Sequence, residues 1–87
     1  MYIHLGQNTV VRSDSVIGIF DLDKTTISKT TRDYLSSATA EGDVVNVTYE
    51  LPKSFVVTKE NGERKVYISQ ISPKTLQKRA ETFSKND

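Results

Sequence analysis

Cysteine is absent from these 87 residues, so neither a disulfide nor a thiolate metal site can supplement the core. Histidine occurs once, as His4, and one imidazole cannot build a zinc site. Charge of one sign is lacking too: 12 basic residues against 11 acidic ones leave a net charge of +1. That balance withholds the basic field common in nucleic-acid-binding domains, without excluding a local patch. No apolar run approaches the roughly 20 residues that span a membrane as a helix. The opening Met1-Tyr2-Ile3-His4-Leu5 reads directly as strand, with no basic-then-apolar leader, so cytoplasmic residence is expected. The apolar fraction of 36% is lean for one small domain spanning residues 1–87. Neighbouring copies are therefore expected to complete some of its apolar faces. No cofactor is expected.

What is present alternates between strand and helix signals. Tyr2–Leu5 and Thr9–Arg12 are short β-rich runs around Gly6-Gln7-Asn8. Ser13-Asp14-Ser15 is a polar turn cluster. Val16–Leu22 is nearly all apolar with Gly18 inside it, the composition of a strand covered on both faces, and Gly18 suggests close approach by another backbone. Thr30 is placed to cap a helix, with Asp33 three residues on and Thr31, Tyr34, Leu35 and Ala38 on one face. Gly42 suits its stop. Val44–Tyr49 alternates as a half-buried strand does, and Glu50-Leu51-Pro52-Lys53 turns the chain. Ser54–Thr58 and Lys65–Ser69 flank Asn61-Gly62, the pair a tight hairpin turn favours. Pro73 opens a last helix with Leu76, Ala80 and Phe83 on one side and Lys74, Lys78, Arg79 and Glu81 on the other. The expected fold class is α+β, a mainly antiparallel sheet with two short helices in the order β-β-β-α-β-β-β-α.

Asp21-Leu22-Asp23-Lys24-Thr25 resembles the first motif of haloacid dehalogenase-type phosphatases. There the first aspartate attacks phosphorus and the second serves as acid and base beside magnesium. Two carboxylates two residues apart on a strand can share one side of a sheet. The context speaks against that chemistry. Such enzymes need a parallel sheet with crossover helices, a distant lysine and further acidic ligands, and a hairpin follows the helix here. A short motif without its structural setting is weak. No enzymatic activity is expected.

Several runs together resemble one family. They are His4-Leu5-Gly6, Val10-Val11, Val16 to Asp21, Glu41-Gly42, Val45 to Tyr49, Lys53 to Thr58, Val66 to Ser69 and Ser72 to Arg79. In order and spacing they are similar to the RemA/RemB family of extracellular matrix regulators of Gram-positive bacteria, the RemB branch being the nearer. The resemblance implies a regulator of biofilm-matrix genes. RemA-type members form rings and bind double-stranded DNA on the outer circumference through arginines in two strand-to-strand turns. By the spacing of Gly6, Val10 and Val16, those positions fall at Ser15 in the first turn and at Leu51 and Pro52 in the second. None is an arginine. Arg12, entering the first turn, and Lys53, in the second, are the candidate DNA contacts, although neither is an aligned match. A ring would multiply few contacts per copy into useful avidity. The lost arginines equally suit an oligomeric regulator that acts through another regulatory protein and never touches DNA.

Other candidates are weaker. Lys24, Lys29 and Arg32 gather near the start of the first helix, where Asp21, Asp23 and Asp33 offset them. The Lys74, Lys78 and Arg79 side of the last helix reads as a solvated face. Tyr2, Tyr34, Tyr49 and Tyr67 are too dispersed for a base-stacking platform. His4 reads as a packed or hydrogen-bonded strand residue.

Overall fold

Among the described residues, six strands and two α-helices follow one another in the expected order. The computed structural model describes residues 2–22, 28–48 and 50–85, with side chains as far as residue 80. β1 (Tyr2–Gly6) and β2 (Thr9–Arg12) form an antiparallel hairpin. A 3₁₀ turn at Ser13–Ser15 leads into β3 (Val16–Asp21), α1 (Lys29–Ala40), β4 (Val44–Asn46), β5 (Ser54–Glu60), β6 (Glu63–Ser69) and α2 (Pro73–Lys85). The larger sheet runs β3-β5-β6-β4. Its pairs are antiparallel except β4 with β6, which run parallel through Val44↔Val66 and Asn46↔Ile68.

Local chemistry explains most boundaries. Asn61 and Gly62 adopt φ of 53° and 81°, the two positive values a two-residue hairpin turn requires. The cap of helix α1 lies two residues before the expected Thr30. Ser28 is the cap, its Oγ accepting from the Thr31 N–H at 3.1 Å, while Asp33 pairs with Lys29 instead. Its end carries a Schellman pair, Gly42 N–H to the Thr39 carbonyl and Asp43 N–H to that of Ala38. Ser72 caps α2 through the Thr75 N–H, with Pro73 in the first helical position as expected.

The large sheet separates two apolar clusters. On one side Ile3, Leu5 and Val11 of the hairpin, Val47, Val56 and Leu76 of α2 pack together, flanked by Val16, Ile19 and Tyr67. On the other, Ala38 of α1 packs on Phe55, Val57 and Val66, flanked by Tyr34, Leu35 and Ile68. Consecutive β5 residues thus face opposite layers, and Ser54 through Thr58 are all buried. Four serine and backbone bonds fasten β1 and the start of β5 to the end of β6. Ser69 Oγ donates to the Leu5 carbonyl at 2.7 Å and accepts the Ile71 N–H, Ser54 Oγ donates to the Ile71 carbonyl, and the Lys53 N–H reaches the Ser69 carbonyl. These partners answer the buried polar groups that would otherwise cost stability.

Three expectations need correction. The strand covered on both faces is β5, whereas β3 lies at the sheet edge with Ile17 63% and Phe20 46% exposed. What approaches Gly18 is a ring and not a backbone: a Cβ there would fall 2.6 Å from Phe20. The strand expected over Val44–Tyr49 stops at Asn46, although the Val47 N–H still reaches the Ile68 carbonyl at 3.0 Å. Tyr49 and the side chains of Glu81 and Phe83 lie outside the described residues.

Candidate nucleic-acid interface

The first of the two turns is held from within. Ser15 is buried, and its Oγ donates to the Arg12 carbonyl at 2.7 Å, closing the 3₁₀ turn. The Arg12 backbone stays extended, and its guanidinium reaches along the surface to two carboxylates. One nitrogen donates to Asp14 at 2.9 Å and the other meets Glu60 at 3.5 Å, with the Arg12 side chain 55% exposed. The hydrogen bond to Asp14, then the charges of Asp14 and Glu60, raise the guanidinium pKa further above its ordinary value. The cation is permanently charged, yet it is already attended by two anions.

The second turn is anchored by backbone. The Lys53 N–H donates to the Ser69 carbonyl at 2.8 Å, and its carbonyl accepts from Leu22 at 2.9 Å. The ammonium end belongs to an exposed side chain. Leu51 is 77% exposed and Pro52 half-buried beside it.

The structure does not bring Arg12 and Lys53 together. Arg12 meets Glu60, the last residue of the seven-residue β5, and Lys53 immediately precedes the first. A strand of that length separates them by roughly 23 Å. They mark opposite ends of one strand, each beside one of the two turns.

The remaining cations are dispersed. Lys29 pairs with Asp33 at 3.0 Å, and Arg32 is exposed nearby. Lys24 and Asp23 lie outside the described residues, and Asp21 is exposed on β3. β3 is paired antiparallel with β5, which is not the parallel setting of the phosphatase motif. Lys74 and Lys78 face solvent, but Arg79 departs from the expected solvated face: it donates to the His4 carbonyl at 2.7 Å and ties α2 to β1. The His4 ring nitrogen bonds to the Gln7 carbonyl at 2.7 Å, as a hydrogen-bonded strand histidine should. Of the tyrosines, Tyr2 is exposed while Tyr34 and Tyr67 are half-buried in different layers, so no stacking platform forms among the described residues.

Sequence reasoning passed over Arg64. It bonds to Asp43 at 2.9 and 3.2 Å, pairs with Glu41, and lies 5.2 Å from the Tyr34 ring centre. These contacts fasten the end of α1 to β6, and the Asp43 bond leads in raising the Arg64 pKa. Its carboxylates stand 21 and 23 residues away, beyond any local pattern.

Among the described residues no cluster of three or more histidine, aspartate or glutamate side chains could hold a metal ion, and no helix is long and apolar enough to cross a membrane. The arrangement is a small β-rich domain, with one cation beside each of its two strand turns and apolar side chains exposed at a sheet edge. Comparison with known proteins names the class. A family model described as RemA-like, extracellular matrix regulatory protein A-like, matches residues 2–80, and the chain belongs to that family of regulatory proteins. It is also 40% identical over 81 residues to "Extracellular matrix regulatory protein B" of Bacillus subtilis (strain 168), a match covering 93% of this chain and 91% of that protein.

Proposed function

We propose that this chain is a cytoplasmic regulator of extracellular-matrix (biofilm) gene expression that assembles into a ring-shaped homo-oligomer and binds double-stranded DNA through Arg12 and Lys53. The observation that carries the reading is the family match from residue 2 to residue 80. Two features support its parts. Exposed apolar side chains at Tyr2, Val10, Ile17, Phe20 and Leu51 suit self-association. Arg12 and Lys53 stand beside the same two turns where the resemblance places DNA contacts. Ion pairs as exposed as those of Arg12 are weak and screened by salt, so phosphate can exchange for a carboxylate at small cost. With about 23 Å between the two cations of one copy, they serve separate phosphates. Affinity then comes from repetition around the oligomer.

A second reading is favoured by one observation. Asp14 and Glu60 stay beside Arg12 and repel phosphate, and Ser15, Leu51 and Pro52 occupy the arginine positions. A regulator acting through a protein partner needs no phosphate contact.

The test is binding of a mixed-sequence duplex, followed by fluorescence anisotropy at several salt concentrations. The first reading expects affinity to fall steeply between about 50 and 200 mM salt, and Arg12→Ala or Lys53→Ala to flatten the dependence, because each phosphate contact releases counterions. Binding indifferent to both substitutions removes these residues from the interface. An oligomer that ignores duplex even at low salt leaves the protein-partner reading.

A further inference from the structure

Resting on the reading that Arg12 contacts duplex phosphate, the geometry around its guanidinium gives the two attending carboxylates different roles. Asp14 belongs to the same local unit as Arg12. It lies two residues on, inside the 3₁₀ turn that the Ser15 bond to the Arg12 carbonyl closes. One terminal nitrogen of the guanidinium donates to it at 2.9 Å, the ordinary length of a charge-assisted bond. One turn holds both residues, so Asp14 moves with Arg12.

Glu60 comes from elsewhere in the chain. Along β5, Val56, Thr58 and Glu60 point to one side of the sheet, because successive strand residues alternate. Val56 packs on Ile3 and Leu5, which fixes that side as the one facing the β1–β2 hairpin. The first residue of β3, Val16, pairs with Thr58, so Glu60 extends two residues past the end of the β3–β5 pairing. There it meets the other terminal nitrogen of Arg12, 48 residues away in sequence, at 3.5 Å. That separation is at the outer limit of a hydrogen bond, and the Glu60 side chain is 51% exposed. Water can replace this partner, because the carboxylate already stands half in solvent.

A guanidinium is a planar fork whose nitrogens bond in fixed directions. With one terminal nitrogen held by Asp14, the fork is oriented, and the nitrogen that faces Glu60 is the one a phosphate oxygen can take. A phosphate there would stand beside the Glu60 carboxylate, and two anions at that distance repel. We infer that Glu60 is a built-in competitor for DNA phosphate at Arg12, an autoinhibitory contact that a duplex must displace, while Asp14 orients the guanidinium. The competitor is tethered, so a free phosphate ion gains little against it. A duplex brings many phosphates at fixed spacing, and several copies acting together displace Glu60 on each. Glu60 thereby favours extended duplex over small anions.

The experiment measures duplex binding by fluorescence anisotropy at about 50 mM salt, where phosphate contacts are least screened. The proteins are wild type, Glu60→Gln, Glu63→Gln and Asp14→Asn, each also combined with Arg12→Ala. Glu63 lies directly opposite Glu60 at the hairpin tip and is exposed, so Glu63→Gln removes the same charge from the same neighbourhood. Glu60→Gln is expected to bind about two- to five-fold more tightly than Glu63→Gln, the range for one exposed ion pair, and the advantage should vanish when residue 12 is alanine. Asp14→Asn should gain less than Glu60→Gln, because it removes a charge but loosens the fork. Glu60→Ala repeats the test with no acceptor left, and circular dichroism checks that every variant is folded. Binding by Glu60→Gln where wild type shows none supports the inference in its strongest form. If Arg12→Ala weakens binding but Glu60→Gln is no tighter than Glu63→Gln, the competitor is overturned and the DNA contact stands. An advantage that survives Arg12→Ala overturns it equally, and a larger gain from Asp14→Asn overturns the division of roles. If neither wild type nor Glu60→Gln binds duplex at this salt, the DNA reading itself falls and the competitor falls with it.

Discussion

Leu76 offers the sharpest measure of how the layers are held. It is fully buried against Ile3, Leu5, Val11, Val47 and Val56, so one α2 side chain binds the hairpin, the β4 extension and the central strand. Leu76→Ala removes buried methyl groups in a site walled by strands and helix backbone that cannot all collapse inward. Such truncations cost about 2–5 kcal/mol, the loss of transfer energy adding to the cavity. Taking about 3 kcal/mol, and about 4–8 °C per kcal/mol for a domain of this length, the melting midpoint should fall by about 12–24 °C. Leu51→Ala is the matched control, the same truncation at a side chain 77% exposed, and should stay within about 0.5 kcal/mol of wild type. Both are read by far-ultraviolet circular dichroism at one protein concentration, since association shifts the midpoint by mass action. Equal falls for the two leucines would refute the layer assignment, as would a Leu76→Ala midpoint within about 4 °C of wild type.

Gly62→Ala forces a side chain into φ of 81° and should cost about 1–2 kcal/mol, seen as a lower midpoint in the same melt, while Asn61→Gly should be nearly neutral. The Arg12 pairing gives a pH expectation. A group whose folded pKa is raised stabilises fully below its unfolded value and loses that contribution only as pH rises through the folded one. For Arg12 that window lies above the ordinary arginine value, because Asp14 and Glu60 raise it further. Duplex affinity lost in Arg12→Ala should therefore be the same fraction at about pH 6 and about pH 9, and a loss confined to the lower pH would assign the effect to another group.

The element order was legible because punctuation in this chain is chemical: Asn61-Gly62, Pro73 and Gly42 each act where only that residue type suits the backbone. The start of α1 was displaced because Ser28 and Thr30 both offer a capping oxygen, and the choice turned on Asp33, which Lys29 takes instead. Strand position was not legible. An apolar run such as Val16–Phe20 has the same composition whether another layer or another molecule covers it, while β5 buries serine and threonine because its partners satisfy them. The parallel β4–β6 pair hides for a similar reason, since β4 pairs beyond its neighbour in sequence. At the candidate interface, Arg12 and Lys53 stand out as cations, but Glu60 lies 48 residues from Arg12 and its effect appears only in three dimensions.

The bond from Ser69 to the Leu5 carbonyl, spanning 64 positions, bears on the order in which the molecule can be made. The ribosome delivers β1 well before the groups that fasten it, Ser69, Leu76 and Arg79. Local pieces such as the β5–β6 hairpin can form early, whereas contacts between distant residues wait on slow closure of a long loop. The nascent chain must carry Ile3, Leu5 and Val11 without their α2 cover until α2 has left the exit tunnel. A truncation before α2 therefore yields a product with an exposed apolar amino-terminal hairpin, the kind of species that chaperones and proteases recognise.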